Sequence, residues 1–242
     1  MIKAIADSLL SITFPQDCRS CGEQVDDPAG GVACAACWAL TRVFGPDDPL
    51  CSKCGCPLAG RSVGSPQCGG CGEQHFDIAA AGGVYEHALT ATVLELKRTP
   101  HVPAKAGEAI LTAFERMAHT SDLLIPVPLS AKRRTERGFN QAEVLSSYLS
   151  RRTGVPFEAL SLVRPKHTPM HRAGMDRKAR ESTVKNAFAV ARPKLIAGRS
   201  ITLVDDIFTT GATVSYCAKA LRKNGAAGVN VVTLARAVRV FD

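Results

Sequence analysis

The chain has 242 residues, 45% of them hydrophobic and 21% charged, with a formal net charge of +8. That is enough chain for one main domain plus an appendage, and the balance excludes disordered and fibrous classes. No apolar run approaches the roughly 18 to 20 residues that span a bilayer, which excludes an integral membrane protein and membrane insertion.

The N-terminal stretch places Ile2, Ile5, Leu9 and Ile12 at helical spacing, but Asp7 interrupts it and no small-residue cleavage site follows. It reads as a short amphipathic helix and not as a signal peptide, so a cytoplasmic, reducing location is expected. Ten cysteines then need an explanation other than disulfides.

Eight of them form four C-x-x-C knuckles: Cys18 and Cys21, Cys34 and Cys37, Cys51 and Cys54, Cys68 and Cys71. Each knuckle presents two thiolates from a tight turn, and two knuckles complete a tetrahedral zinc site. Two structural Zn²⁺ ions are expected. Local pairing is the simpler assignment, and cross-braced pairing of the first knuckle with the third is the alternative. Gly22, Gly55 and Gly72 follow the second cysteine of a knuckle, where a left-handed residue suits the turn. Cys56 is read as an extra thiol outside the ligand set, and Trp38 as an apolar cap on the first site. The module is expected to span residues 1–76, with a second domain over 77–242.

The charge is not evenly spread. From Lys132 to Arg180 there are twelve Lys or Arg against four Asp or Glu, a local excess equal to that of the whole chain. Cys18 to Cys71 is slightly acidic, and two four-thiolate zinc sites would lower the total from +8 to about +4. An anionic partner therefore belongs to the second half of the chain.

From Ile78 onward, short apolar runs alternate with helical periodicity. Strands are predicted at 79–85, 123–127, 187–190, 200–204 and 228–234, and helices at 88–97, 104–118, 140–152 and 213–223. Such alternation implies a parallel α/β sheet, with ligands at the carboxyl ends of its strands. Gly225 is read as ending the last helix, and Cys217 as a packing thiol within it.

Ser200 to Thr213 reads as a buried strand running into a tight turn and a helix. Thr209, Thr210, Gly211, Ala212 and Thr213 offer consecutive N–H groups and hydroxyls at a helix N-terminus, which suits a phosphate, and Gly211 lets the backbone approach it closely. Asp205 and Asp206 would repel a bare phosphate. They make sense if the ligand also presents hydroxyls or a metal, as a ribose 5-phosphate does. Two other patterns are set aside. Gly60 to Gly64 matches G-x-S-x-G but has no strand before it or helix after it, and His167 and His171 fall in a basic loop at no metal-ligand spacing.

The string LVDDIFTTGAT resembles the phosphoribosyl pyrophosphate (PRPP) motif of type I phosphoribosyltransferases. Leu124 to Pro128, then Lys132 to Arg134 and Glu136 to Gln141, is similar to the corresponding segment of the ComF family of competence proteins, which also carry paired C-x-x-C knuckles. The resemblance implies a type I phosphoribosyltransferase-like parallel sheet behind an N-terminal zinc ribbon. It implies that Asp205 and Asp206 grip the ribose and serve as the catalytic acids, and that Thr209 to Thr213 hold the 5-phosphate. Val127 and Pro128, in a loop running to Ser130 that often has a non-proline cis bond, would meet the pyrophosphate with Arg133, Arg134, Arg137 and Mg²⁺. The segment from His167 to Phe188 departs from the family in lacking Gln near His171 or Arg172 and Asn near Thr183.

The expected function is PRPP binding or phosphoribosyl transfer in DNA uptake during transformation, with other uptake proteins as partners. The alternatives are a single-stranded DNA-binding protein with PRPP as regulatory ligand, gripping DNA through the Lys132 to Arg180 stripe, and a salvage-type phosphoribosyltransferase. Single-strand grooves add aromatic platforms. Phe139, Tyr148 and Phe157 are the aromatic residues in that stripe, with Tyr148 and Phe157 read as core.

Overall fold

The computed structural model describes residues 16–58, 67–68, 71, 74–117, 121–165 and 187–238. Helix α1 (Ala35–Leu40) lies in the cysteine module. Strand β1 (Ala79–Val84) then leads through α2 (His87–Glu95) and α3 (Ala104–Arg116) to β2 (Leu123–Pro126). Helices α4 (Ala131–Arg137) and α5 (Gln141–Thr153) follow, then β3 (Leu162–Val163), β4 (Ala189–Val190), β5 (Ser200–Phe208), α6 (Ala212–Lys223) and β6 (Gly228–Arg236).

The main sheet has the order β1-β6-β5-β2, and all its neighbouring pairs are parallel. Helices and cysteine clusters cover both faces, which is why its strands are continuous apolar runs without alternation. On one face α2, α3 and α5 pack with Leu124, Val204, Val232 and Leu234, together with Cys18, Cys34, Cys37 and Trp38. On the other, α6 packs with Ile125, Leu203 and Val231, together with Cys51, Cys54, Cys71 and Phe76. The module therefore straddles the sheet, with one cluster on each face.

Between the two clusters the chain runs along the sheet edge. Val43 bridges antiparallel to Gly83, the Phe44 N–H donates to Gly82 O at 2.8 Å, and the Val84 N–H donates to Arg42 O at 2.9 Å. This covers the open edge of β1, a row of backbone groups that would otherwise invite pairing. Gly83 has to be small, because a Cβ there would lie 2.6 Å from Arg42 O and 2.6 Å from Leu89 Cδ1. Arg116 ties the same seam, donating to Gly45 O at 3.0 Å and Ala81 O at 3.1 Å.

One predicted strand is misplaced. The 187–190 stretch contributes only Ala189–Val190, which pairs antiparallel with Leu162–Val163 in a separate two-stranded sheet. Among the described residues no helix is long and apolar enough to cross a membrane. The N-terminal amphipathic stretch lies outside the described residues.

Candidate functional site

The cysteines resolve into two local groups. The sulfurs of Cys18, Cys21, Cys34 and Cys37 lie within 4.8 Å of one another, and so do those of Cys51, Cys54, Cys68 and Cys71. Cys18 and Cys37 are 3.7 Å apart, Cys21 and Cys34 3.7 Å, Cys54 and Cys68 3.5 Å, and Cys51 and Cys71 3.3 Å. A tetrahedron with Zn–S near 2.3 Å has edges of about 3.8 Å, so both groups fit a metal of that kind.

The two groups repeat one design. Gly22 (φ +83°) and Gly55 (φ +68°) turn the first knuckles, and their N–H groups donate to Cys18 O and Cys51 O. The second knuckle returns a backbone N–H to the first sulfur, from Cys34 to Cys18 at 3.3 Å and from Cys68 to Cys51 at 3.2 Å. Burial pushes both first thiols up, but these N–H donors outweigh it and hold Cys18 and Cys51 at about 6. Gly72 and the 60–64 pattern fall outside the described residues. Trp38 is buried beside the first group and donates from Nε1 to Gly30 O at 2.9 Å.

The phosphate-type turn lies at the carboxyl end of central strand β5. Gly211, at φ +77°, caps α6, and the Ser215 N–H donates to Gly211 O at 2.9 Å. The N–H groups of the first helical turn ahead of Ser215 have no carbonyl acceptor within the helix, an arrangement that suits an anion, and that of Ala212 donates to Thr210 Oγ1 at 3.4 Å. Thr209 is exposed, and Thr210, Ala212 and Thr213 are partly so. Gly211 answers to more than ligand approach, because a Cβ there would lie 2.6 Å from the Phe208 ring. Gly211→Ala is therefore expected to lower stability by about 1 to 3 kcal/mol through backbone strain and this clash, read as a fall in melting temperature.

Asp205 and Asp206 sit just before the turn. Asp206 is buried, accepts from Gln141 Nε2 at 3.3 Å and has Lys97 Nζ at 3.6 Å from Oδ2. Its own N–H donates to Asp205 Oδ1 at 2.9 Å. Burial first, and then the Asp206 charge, push the Asp205 carboxyl well above the usual carboxylate range. Burial and the Asp205 charge likewise raise Cys217, which is fully enclosed in the core.

The loop after β2 comes beside these acids. Val127 donates its N–H to Val204 O at 2.9 Å, and Asn140 Nδ2 donates to Val127 O at 3.0 Å. Ser130 caps α4, whose seven residues AKRRTER include no buried side chain. Among the described residues there is no cis peptide bond, so the loop lacks that feature of the resemblance. Arg137 donates to Gln141 Oε1 at 2.9 Å, which links it through Gln141 to Asp206. Arg134 is turned away and engages Glu143 at 2.5 and 3.1 Å. Arg133 lies near enough to half-buried Arg164 that its charge, after burial, lowers the Arg164 pKa.

Sequence patterns missed three members of this constellation. Lys97 lies at a helix end with no motif, Gln141 in the first turn of α5, and Arg164 counts in the sequence only as part of the basic stripe. The structure stacks Arg164 over Phe188 with 5.2 Å to the ring centroid. Residues 166–180 of the stripe, with His167, His171 and Arg172, lie outside the described residues, as does Thr183. Phe157, expected in the core, is 39% exposed, and its segment bridges to Leu124 at the β2 edge.

These features define an α/β protein with a parallel sheet and two four-cysteine clusters packed against it. No family model matches the chain. It is 33% identical over 214 residues to competence protein F of Haemophilus influenzae, covering 84% of this chain and 90% of that one. It is 30% identical over 234 residues to DNA utilization protein YhgH of Escherichia coli, covering 93% of this chain and 99% of the relative. Competence protein ComFC of Bacillus subtilis matches over 119 residues at 33% identity, 47% of this chain and 44% of that protein. The chain belongs to the ComF family, that of competence protein F.

Among solved structures it is similar to an allosteric regulatory enzyme of purine biosynthesis, with 20% identity and a TM-score of 0.38 over 59% of this chain and 30% of that one. Adenine phosphoribosyltransferase from Thermoanaerobacter pseudethanolicus gives 18% identity and a TM-score of 0.33, over 52% of this chain and 62% of that one. Likenesses of this size assign neither a substrate nor a reaction.

Proposed function

We propose that the protein binds Mg²⁺·PRPP at the carboxyl end of β5 and serves DNA uptake in natural transformation. The observation that carries the reading is the β5 turn itself. Two acids lie near the carboxyl end of the central strand, a left-handed glycine opens α6, and the loop of the neighbouring strand β2 lies alongside. The names of the relatives, competence protein F and DNA utilization protein, support the biological setting.

In this reading Thr209 to Thr213 take the 5-phosphate, and Asp205 and Asp206 accept from the ribose hydroxyls. Val127, Pro128, Arg133 and Arg137 face the pyrophosphate, and Arg134 joins them by leaving Glu143. Two adjacent carboxylates plus ligand oxygens are a donor set that suits Mg²⁺, which neutralises pyrophosphate charge. Any transfer runs through loosening of the C1–pyrophosphate bond, and the chain's part is to position the ribose and stabilise the departing anion. Residues 1–76 form the metal module and 77–242 the ligand-binding domain. The two clusters hold structural zinc, since all four positions in each are filled by protein sulfur. None of the ten cysteines is paired in a disulfide, which suits the cytoplasm.

A second reading, single-stranded DNA binding, is favoured by α4, which carries Lys132, Arg133, Arg134 and Arg137 with no buried side chain. Titration calorimetry with Mg²⁺·PRPP tests the first reading, with saturable heat at one site per chain expected. The absence of heat from the zinc-loaded protein overturns it. DNA affinity that falls steeply with salt and changes when PRPP is added selects the second reading, in which PRPP is a regulatory ligand.

A further inference from the structure

We infer that Arg236 is a positioning residue that couples the second cysteine cluster to the phosphate turn, so that metal at Cys51, Cys54, Cys68 and Cys71 stiffens the loop receiving the sugar phosphate. The inference rests on reading Thr209 to Thr213 as that loop, and it gives the cluster a part in ligand binding.

Arg236 ends β6 opposite Phe208, the last residue of β5. It is 7% exposed, and among the described residues no carboxylate pairs with it. Its Nη1 donates to Cys54 O at 2.5 Å and its Nη2 to Cys54 Sγ at 3.4 Å. The partners of this buried guanidinium are therefore the carbonyl and the sulfur of one cluster residue, and a metal joining Cys54 to the other three sulfurs would hold both in place. A buried guanidinium that loses such partners is left unsatisfied, which is costly, and it moves.

What it moves is the floor of the turn. The Arg236 guanidinium carbon sits 4.4 Å from the Phe208 ring centroid. The same ring lies directly under Gly211, where even a Cβ would come within 2.6 Å. A second line of contacts runs in parallel from the segment after Cys71. Phe76 meets Phe208 edge-on at 5.9 Å and 82°, and the His75 N–H donates to Ser215 Oγ at 3.0 Å, in the first turn of α6. Among the described residues the first cluster has no such line to the turn, and its cysteines pack with α2, α3 and α5 on the opposite face.

Coupling of this kind is reciprocal, so a ligand that orders the turn must slow metal loss from the second cluster. The full zinc-loaded chain is the sample, and two readouts apply: biphasic zinc release to a chromogenic chelator, and hydrogen exchange of the Thr210 to Val214 amides. Arg236→Met is expected to speed one release phase and the amide exchange by roughly fivefold or more, the lower end of ordinary coupling, and to leave the other phase alone. Arg236→Lys, which keeps the charge but loses the fork, should fall between. Phe208→Leu keeps the Arg236 contact with Cys54, so it should loosen the amides with wild-type zinc release, and it carries the test if Arg236→Met fails to fold. In wild type, PRPP should slow the Arg236-sensitive phase by a similar factor. Amide exchange that stays at the wild-type rate in Arg236→Met and in Phe208→Leu overturns the coupling. A wild-type protein that gives no heat with PRPP, yet shows the amide effect in the variants, overturns the ligand reading and leaves the coupling standing.

Discussion

Replacing Asp205 and Asp206 together with Asn is expected to weaken Mg²⁺·PRPP binding by at least about a hundredfold. Each charged hydrogen bond to the ribose contributes roughly 1.5 to 3 kcal/mol, and two are lost. The single change Asp205→Asn should show a second, opposite effect on the free protein. Burial and the Asp206 charge raise the Asp205 pKa. For a group whose pKa is raised on folding, stability is fully present below the unfolded value of about 3.9 and is lost as pH rises through the folded value. At neutral pH, above the unfolded value, the acid thus weighs against the fold, and Asn removes that burden. Asp205→Asn should melt above wild type at pH 7 and at the same temperature near pH 3, while binding ligand poorly. Full PRPP affinity in the double variant would sink the ribose assignment. A lower melting temperature for Asp205→Asn at pH 7 would show that the acid is not the strained group the geometry makes it.

The second large effect concerns the metal module. Cys54→Ser is expected to release one equivalent of metal and to abolish the cooperative melt of the whole chain, not of the module alone. Structural zinc contributes apparent values of about 10 to 16 kcal/mol in small domains, against total stabilities of about 5 to 15. Here the clusters are part of the main core, because Cys51 and Cys54 are 3% and 4% exposed and pack with Phe76, Ala79 and Ile201. Chelation should therefore remove the near-ultraviolet circular dichroism of residues far from any cysteine. A sharp melt that survives in the metal-free chain would sink the idea that the clusters brace the sheet.

The parallel strands and long helices are legible in the sequence because burial on both faces leaves continuous apolar runs. Strand β5 extends to Phe208, past the predicted 204, since two acids look like the end of an apolar run, whereas the ladder continues through them. Helix α4 has no local signature because AKRRTER has no apolar face, and it stands on Ser130 at its start and Gly138 (φ +76°) at its end. The Ala187 to Val190 run is apolar enough for the sheet but pairs instead with Leu162–Val163, a non-local choice that no local pattern encodes. The acids and the Thr turn can be read from one contiguous string. Lys97, Gln141 and Arg236 reach the site from distant segments, and only the folded sheet brings them together.

The strand order has a bearing on how the molecule is made. Strand β6 lies between β1 and β5, although it is the last of the sheet's strands in the chain. A nascent chain on the ribosome thus holds β1 and β5 as two separate apolar slabs, each with a bare flank, until the final strand emerges and joins them. Such late, long-range closure is slow, and it exposes the unfinished halves to association with one another or with chaperones.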